Sequence, residues 1–227
     1  MNSGLELEFK ITGDGSHTLY VPALGEHYHS VFGAIAESRH IFIGAGYKFV
    51  KKPRLPVHIL EIGFGTGLNA LLTCMEAEVS GCRVSYTTLE NNPLPAIIYS
   101  KLNFADLTDH PDSQDIFLHL HQSPWNEWNN HGKYFSFLKL NTSLQDFKPL
   151  KEAFDLVYFD AFGPDVQPEM WTGEVFLKMA SGLRKQGVLV TYSAKGSVKR
   201  NLKEAGFLIE KLPGPEGKRE ILRAVRI

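Results

Sequence analysis

The sequence predicts an α/β fold of the Rossmann-like class, a seven-stranded, mostly parallel sheet with helices on both faces and an N-terminal β-hairpin extension. Three observations predict it. From residue 57 onward, short apolar runs alternate with helix-length segments, the rhythm of parallel strands joined by crossover helices. The first run leads into Gly63-Phe64-Gly65-Thr66-Gly67, a turn of the kind that links a buried strand to a helix. The chain has 227 residues, 43% hydrophobic and 22% charged, which suits one core of ordinary size.

Residues 5–11, the turn Gly13-Asp14-Gly15-Ser16 and residues 17–21 read as strand, turn, strand, and a helix is expected over 30–40. Lys51, Lys52, Pro53, Arg54 and Pro56 read as a linker. Residues 1–55 are thus an extension packed on a core of residues 56–227, one structural unit overall. Strands are expected at 57–62, 84–89, 134–140, 154–159 and 188–192, with 207–211 and 221–225 as a closing pair. Helices fall near 67–78, 93–103, 171–184 and 198–205. Residues 105–132 have no clean period and read as an inserted connection.

No stretch approaches the roughly 20 apolar residues of a membrane helix, and MNSGLELEFK lacks the order of a secretory signal. The expectation is a cytoplasmic protein. Two cysteines, Cys74 and Cys82, exclude a disulfide framework and a four-thiolate zinc site. The net charge of -1 hides an asymmetry: residues 178–227 hold 12 Lys+Arg against 4 Asp+Glu, while residues 1–177 hold 12 against 21. A basic tail of this size can bring an anionic polymer to one edge, or can simply be solvated surface.

Glycines at 63, 65 and 67 let a ligand lie against bare backbone. A dinucleotide fingerprint would place its third glycine at 68, which is leucine. Glu61, just before the turn, suits a cationic cofactor better than a pyrophosphate. Both points favour S-adenosyl-L-methionine over NAD, with Glu61, Gly63, Gly65, Gly67 and Asn69 around it. Glu90 ends the second strand, 23 residues after Gly67, where a carboxylate accepts hydrogen bonds from ribose hydroxyls. Strand four ends in Asp160-Ala161-Phe162-Gly163-Pro164, so Asp160 should face the same crevice. The loop resembles the Asp/Asn-Pro-Pro-aromatic loop of amino-group methyltransferases, which makes Asp160, Phe162 and Pro164 the catalytic candidates. An ordinary aspartate pKa of about 3.9 is weak for a base, so positioning of an amine is the larger part of the expected role.

These segments, with Asp14-Gly15-Ser16, Gly25-Glu26-His27-Tyr28-His29-Ser30, Pro168-Glu169-Met170-Trp171, Thr191-Tyr192-Ser193-Ala194-Lys195-Gly196, Val198-Lys199-Arg200 and Gly217-Lys218-Arg219-Glu220, resemble the methyltransferase domain of the MnmC family. The match is scattered over nearly the whole chain. It implies a class I S-adenosyl-L-methionine-dependent methyltransferase acting on the exocyclic amine of 5-aminomethyl-(2-thio)uridine at the tRNA wobble position. The flavin-dependent oxidase domain of bifunctional members has no counterpart in these residues, so the chain looks like the stand-alone form, and a separate upstream enzyme is expected to supply the aminomethyl group. The family's Gly-Asp after strand three is also missing. Thr142 stands in its place, and Asp146 is the alternative partner for the adenine amine.

The resemblance gives the basic tail a purpose. Lys195, Lys199, Arg200, Lys218 and Arg219 become candidate contacts to the anticodon stem-loop of tRNA. His27, Tyr28 and His29 are candidate walls for the flipped uridine. His27 with His29, and His119 with His121, have the alternate spacing that on a strand faces one side, but no cysteine or carboxylate set completes a site. No metal is expected. Trp125 and Trp128 read as packing residues of the insertion, and Trp171 as core. Two alternatives stand beside this reading: a methyltransferase or aminopropyltransferase acting on a small amine, and a non-catalytic tRNA-binding or partner-docking module.

Overall fold

The computed structural model describes residues 6–50 and 56–227. Leu5 of the expected first strand and the linker residues 51–54 lie outside them. The apolar runs become strands because both of their faces are covered, as a parallel sheet requires: β4 (Val57–Ile62) and β8 (Phe154–Phe159) each bury every residue but one.

The main sheet has the order β10-β11-β9-β8-β4-β5-β7-β6. Strands β5 (Val84–Glu90) and β7 (Phe135–Asn141) extend it in parallel from β4 on one side. On the other side, β8 and β9 (Leu183–Thr191) are parallel, and the β10 (Phe207–Pro213) and β11 (Glu220–Arg226) hairpin closes the edge. All seven expected strands form. The eighth, β6 (Trp128–His131), pairs antiparallel with β7 and comes from the expected connection. Its sequence, WNNH, is polar because it is an edge strand with half-exposed residues, so hydropathy gives it no signal. Trp128 is 56% exposed on this strand, a correction to its expected packing role, whereas Trp125 packs on the core.

Helix α3 (Leu68–Ser80) follows the glycine turn and stops at Gly81, whose φ of 63° is the left-handed conformation of a helix end. The predicted helix over 93–103 contracts to α4 (Ala96–Tyr99). The insertion holds a 3-10 turn (Ala105–Leu107) and α5 (Ser113–Gln122). On α5 the alternate residues His119 and His121 diverge, because helical neighbours two apart do not share a face. Helix α6 (Gly173–Gly182) starts at Thr172, whose side chain accepts from the Val175 N–H. Helix α7 (Gly196–Glu204) leads into β10.

The N-terminal hairpin gains a third strand. β1 (Glu8–Ile11) and β2 (His17–Val21) turn back at Gly25 to β3 (Glu26–His27). The following helix begins at α1 (Ala34–Ser38), where Asp14 Oδ2 accepts the Ala36 N–H, and runs on through a π-helical stretch (Arg39–Tyr47) to α2 (Lys48–Val50). It lies so close to the sheet that a methyl group on Gly46 would stand 3.1 Å from Tyr158 and Val190. Apolar clusters cover both faces of the sheet, one around Tyr86, Phe135 and Tyr158, the other around Phe159, Trp171 and Phe176. Trp171 is buried, but in a 3-10 turn (Pro168–Trp171) before α6. Both cysteines are buried. Among the described residues, no helix is long and apolar enough to cross a membrane.

Candidate active site

At the carboxyl ends of β4, β5 and β8 lies a cavity of ≈ 440 Å³, where open α/β sheets hold ligands. Its floor is the glycine turn. Gly63, Gly65 and Gly67 have φ of 89°, 51° and 75°, a region that a side chain makes costly. The Gly63 and Phe64 N–H groups both donate to Leu89 O, and the Gly65 N–H donates to Glu90 Oε2 at 2.9 Å. A methyl group on Gly65 would stand 3.3 Å from the Tyr28 ring. Gly63, Gly65, Asn69 and Glu90 line the cavity. Glu90 gives Oε2 to Gly65 and Oε1 to the Asn92 N–H, and each oxygen keeps a lone pair for a ribose hydroxyl. This bare-backbone cradle with an acceptor at its rim fits S-adenosyl-L-methionine.

Four expected contacts are corrected. Glu61 is fully buried behind the turn and does not reach the cavity wall; the Thr88, Tyr86 and Asn69 side chains stand around its carboxyl. Burial, with the nearby Asp160 charge, pushes its carboxyl up to about 8. Gly67 faces inward, where a methyl group would stand 2.8 Å from His121 Nε2. Asp146 turns away to accept from Ser143 Oγ at 2.6 Å, leaving Thr142 on the wall. Pro164 is off the wall, while Phe162 is on it.

Asp160 stands on the wall, and Asn69 Nδ2 donates to its Oδ2 at 2.8 Å. Asn69 is itself held by Ser38 Oγ. Burial pushes the Asp160 carboxyl up to about 7, helped by Glu37 and opposed by the Asn69 hydrogen bond and Lys218. This overturns the expectation of an ordinary aspartate and makes the group competent as a base near neutrality.

His27, Tyr28 and His29 all line the cavity. Tyr28 meets Phe162 edge-on at 5.1 Å, and its hydroxyl is raised to about 12 by burial and the Glu90 charge. His29 Nε2 lies 2.6 Å from Thr66 Oγ1, and burial lowers its imidazole to about 4, so it is neutral.

The basic residues divide. Lys218 enters the cavity, 2.6 Å from Glu37 Oε1 and 5.1 Å from the Tyr192 ring centroid. Lys195, Lys199, Arg200 and Arg219 lie off the wall. Lys195 pairs with Asp165 and Lys199 with Glu220, while Arg200 and Arg219 are exposed.

Sequence reasoning missed Glu37, Glu26, Glu169 and Tyr192, all on the wall. Tyr192 sits inside the Thr-Tyr-Ser-Ala-Lys-Gly segment, and that motif was its signal. Glu37 lies in a plain helical stretch, and only the fold brings it to Lys218. Among the described residues the wall carries five carboxylates (Glu26, Glu37, Glu90, Asp160, Glu169) and one Lys or Arg, Lys218.

A family model described as S-adenosyl-L-methionine-dependent methyltransferase matches residues 133–227. The chain is 31% identical over 219 residues to the tRNA 5-methylaminomethyl-2-thiouridine biosynthesis bifunctional protein MnmC of Burkholderia multivorans, covering 90% of this chain and 33% of that protein. The protein of the same name from Cupriavidus metallidurans is also 31% identical, with 93% and 32% covered. The chain thus spans about a third of the length of these relatives. The crystal structure of MNMC2 from Aquifex aeolicus superposes with a TM-score of 0.78 at 25% identity, covering 98% of this chain and 71% of that one. Spermidine synthase from Thermotoga maritima shares the fold alone, with a TM-score of 0.52 at 13% identity and 98% and 72% covered. The glycine cradle, the carboxylate on its rim and these matches together make the chain a Rossmann-like S-adenosyl-L-methionine-dependent methyltransferase, similar over nine-tenths of its length to about a third of the MnmC proteins.

Proposed function

We propose that this protein methylates the primary amine of 5-aminomethyl-(2-thio)uridine at the wobble position of tRNA, working in the cytoplasm after a separate enzyme has supplied the aminomethyl group. The observation that carries the reading is the charge of the cavity: among the described residues five carboxylates line it against one Lys or Arg, and Asp160 is raised to about 7. Such a wall attracts an ammonium group.

Bound S-adenosyl-L-methionine would lie on Gly63 and Gly65 with its ribose at Glu90, and it supplies an electrophilic methyl group. The work of the chain's own residues is to present a neutral amine. An alkylammonium has a reference pKa of about 10.4, so transfer to an ordinary aspartate is uphill by more than about 6 units. At about 7, Asp160 narrows that gap to roughly 3 units. Asn69 occupies Oδ2 and leaves Oδ1 to receive the ammonium and then its proton. Tyr28 and Phe162 offer aromatic faces and edges to the uracil ring. Phe32, about half exposed at the cavity, offers a stacking surface for a splayed base. Exposed Arg200 and Arg219 are suited to anticodon-stem phosphates.

The test incubates the protein with labelled S-adenosyl-L-methionine and tRNA from cells lacking its gene, then identifies the labelled nucleoside. Label in 5-methylaminomethyl(-2-thio)uridine is expected. Label only in free polyamines would replace this reading with the small-amine alternative, and cofactor binding without any transfer would favour a docking module.

A further inference from the structure

We propose that Cys74, Glu78, His131 and His110 form a binding site for one zinc ion, remote from the active site. Cys74 and Glu78 lie one helical turn apart on α3, and His131 ends β6. Their ligand atoms all lie within 4.8 Å of one another. A tetrahedral zinc ion with bonds of about 2.0–2.3 Å sets its ligands about 3.5 Å apart, so the three need to close by about 1 Å, within the reach of side-chain rotation. His110 stands outside this trio with its Nε2 3.3 Å from Glu78 Oε2, and it is the neighbour that would turn in as the fourth donor.

The donor set defines the ion. A thiolate, two imidazoles and a carboxylate suit zinc, or cobalt as its substitute, and do not suit magnesium or calcium, which take oxygen ligands. The local backbone also makes room for the cluster. Gly132, next to His131, has a φ of 58°, a left-handed conformation that favours glycine in the β6–β7 turn beside Glu78. His119 stands behind the cluster, its ring 5.3 Å from that of His131 and its Nε2 3.2 Å from Asn130 O. An ordinary thiol, with a reference pKa of about 8.5, is mostly protonated at neutral pH. Zinc binding therefore forms the Zn–S bond and releases one proton to solvent.

The site lies far along α3 from the cofactor cradle. Glu78 is nine residues beyond Asn69, about 14 Å at the helical rise. Its ligands come from the core helix on one side and from the insertion, residues 105–132, on the other. The bound ion would pin that insertion to the core. Cysteine and histidines 36 and 57 residues apart show no short ligand spacing, which is why the sequence alone offered no metal site.

The test titrates the intact chain, free of any histidine tag and stripped by chelator, with Co²⁺ alone. Saturation at one ion per chain is expected, with a thiolate-to-cobalt charge-transfer band in the near ultraviolet and tetrahedral bands in the visible, all abolished by added Zn²⁺. His131→Gln and His110→Gln, at partly exposed positions, should each weaken Co²⁺ binding about tenfold or more while circular dichroism stays unchanged; Cys74→Ser should remove the charge-transfer band. No stoichiometric binding, binding without that band, or unaltered affinity in both histidine variants would overturn the proposal. If Cys74→Ser fails to fold, the histidine variants and the wild-type spectrum still decide it.

Discussion

Asp160 is raised to about 7 by burial and by Glu37, and held back by Asn69 and Lys218, so its environment makes two neighbouring substitutions act in opposite directions. If it accepts the substrate proton, kcat/KM should rise with pH along an acid limb centred near 7, because only the carboxylate form is a base. A group titrating near 7 is about half ionised at pH 7 and about one-tenth ionised at pH 6, so the rate should fall roughly fivefold between them. Glu37→Gln removes a like charge, which lowers the Asp160 pKa and moves the limb to lower pH. Lys218→Met removes the cation on the cavity wall and moves the limb to higher pH. Each displacement should be on the order of half a pH unit or more. Asp160→Asn should abolish the limb and reduce the rate by at least about tenfold while leaving cofactor affinity near wild type. The assay is initial-rate transfer of labelled methyl to unmodified tRNA from pH 5.5 to 8.5 at constant ionic strength. Limbs that stay in place, or that move the same way in both variants, would refute the assignment of the proton acceptor.

Gly65→Ala should weaken S-adenosyl-L-methionine about tenfold by calorimetry, because its φ of 51° is costly for a side chain and the new methyl group presses on Tyr28 at 3.3 Å. Glu61 has a folded-state pKa raised to about 8 from an ordinary 4.5, so the folded protein holds a proton that the unfolded chain has lost; stability is full below pH 4.5 and declines as pH rises through 8. His29 and His121, lowered by burial to about 4, act oppositely and contribute fully only above pH 6.5. Between pH 6.5 and 8 the decline should dominate, by about 1 kcal/mol or more from Glu61, and Glu61→Gln should flatten it in thermal melts. For tRNA, Arg200→Ala and Arg219→Ala should each reduce the slope of log affinity against log salt by about 0.7–0.9. Lys199→Ala should change it less, because Lys199 is already paired with Glu220 at 3.0 Å.

The sheet and the cradle are written in the residues themselves. Strands buried on both faces are rich in apolar and β-branched residues, and a turn with three left-handed residues favours glycine, so β4, β5, β8 and the Gly63-Gly65-Gly67 turn were legible in the sequence. The ends of those strands carried Glu90 and Asp160 to the cavity for the same topological reason. The polar edge strand β6 left no such mark, because half of each of its residues' environment is water. The electrostatics of the site, by contrast, arise only on folding. Whether a carboxylate is an ordinary acid or a base near neutrality depends on desolvation and on charges from distant segments: Glu37 from α1 and Lys218 from the β10–β11 turn lie 123 and 58 residues from Asp160. Tertiary contacts likewise withdrew Glu61 from the cavity and paired Lys195 and Lys199 with carboxylates, while a local hydrogen bond from Ser143 turned Asp146 aside. A side chain's neighbours through space set its charge and reach, and spacing along the chain does not encode them.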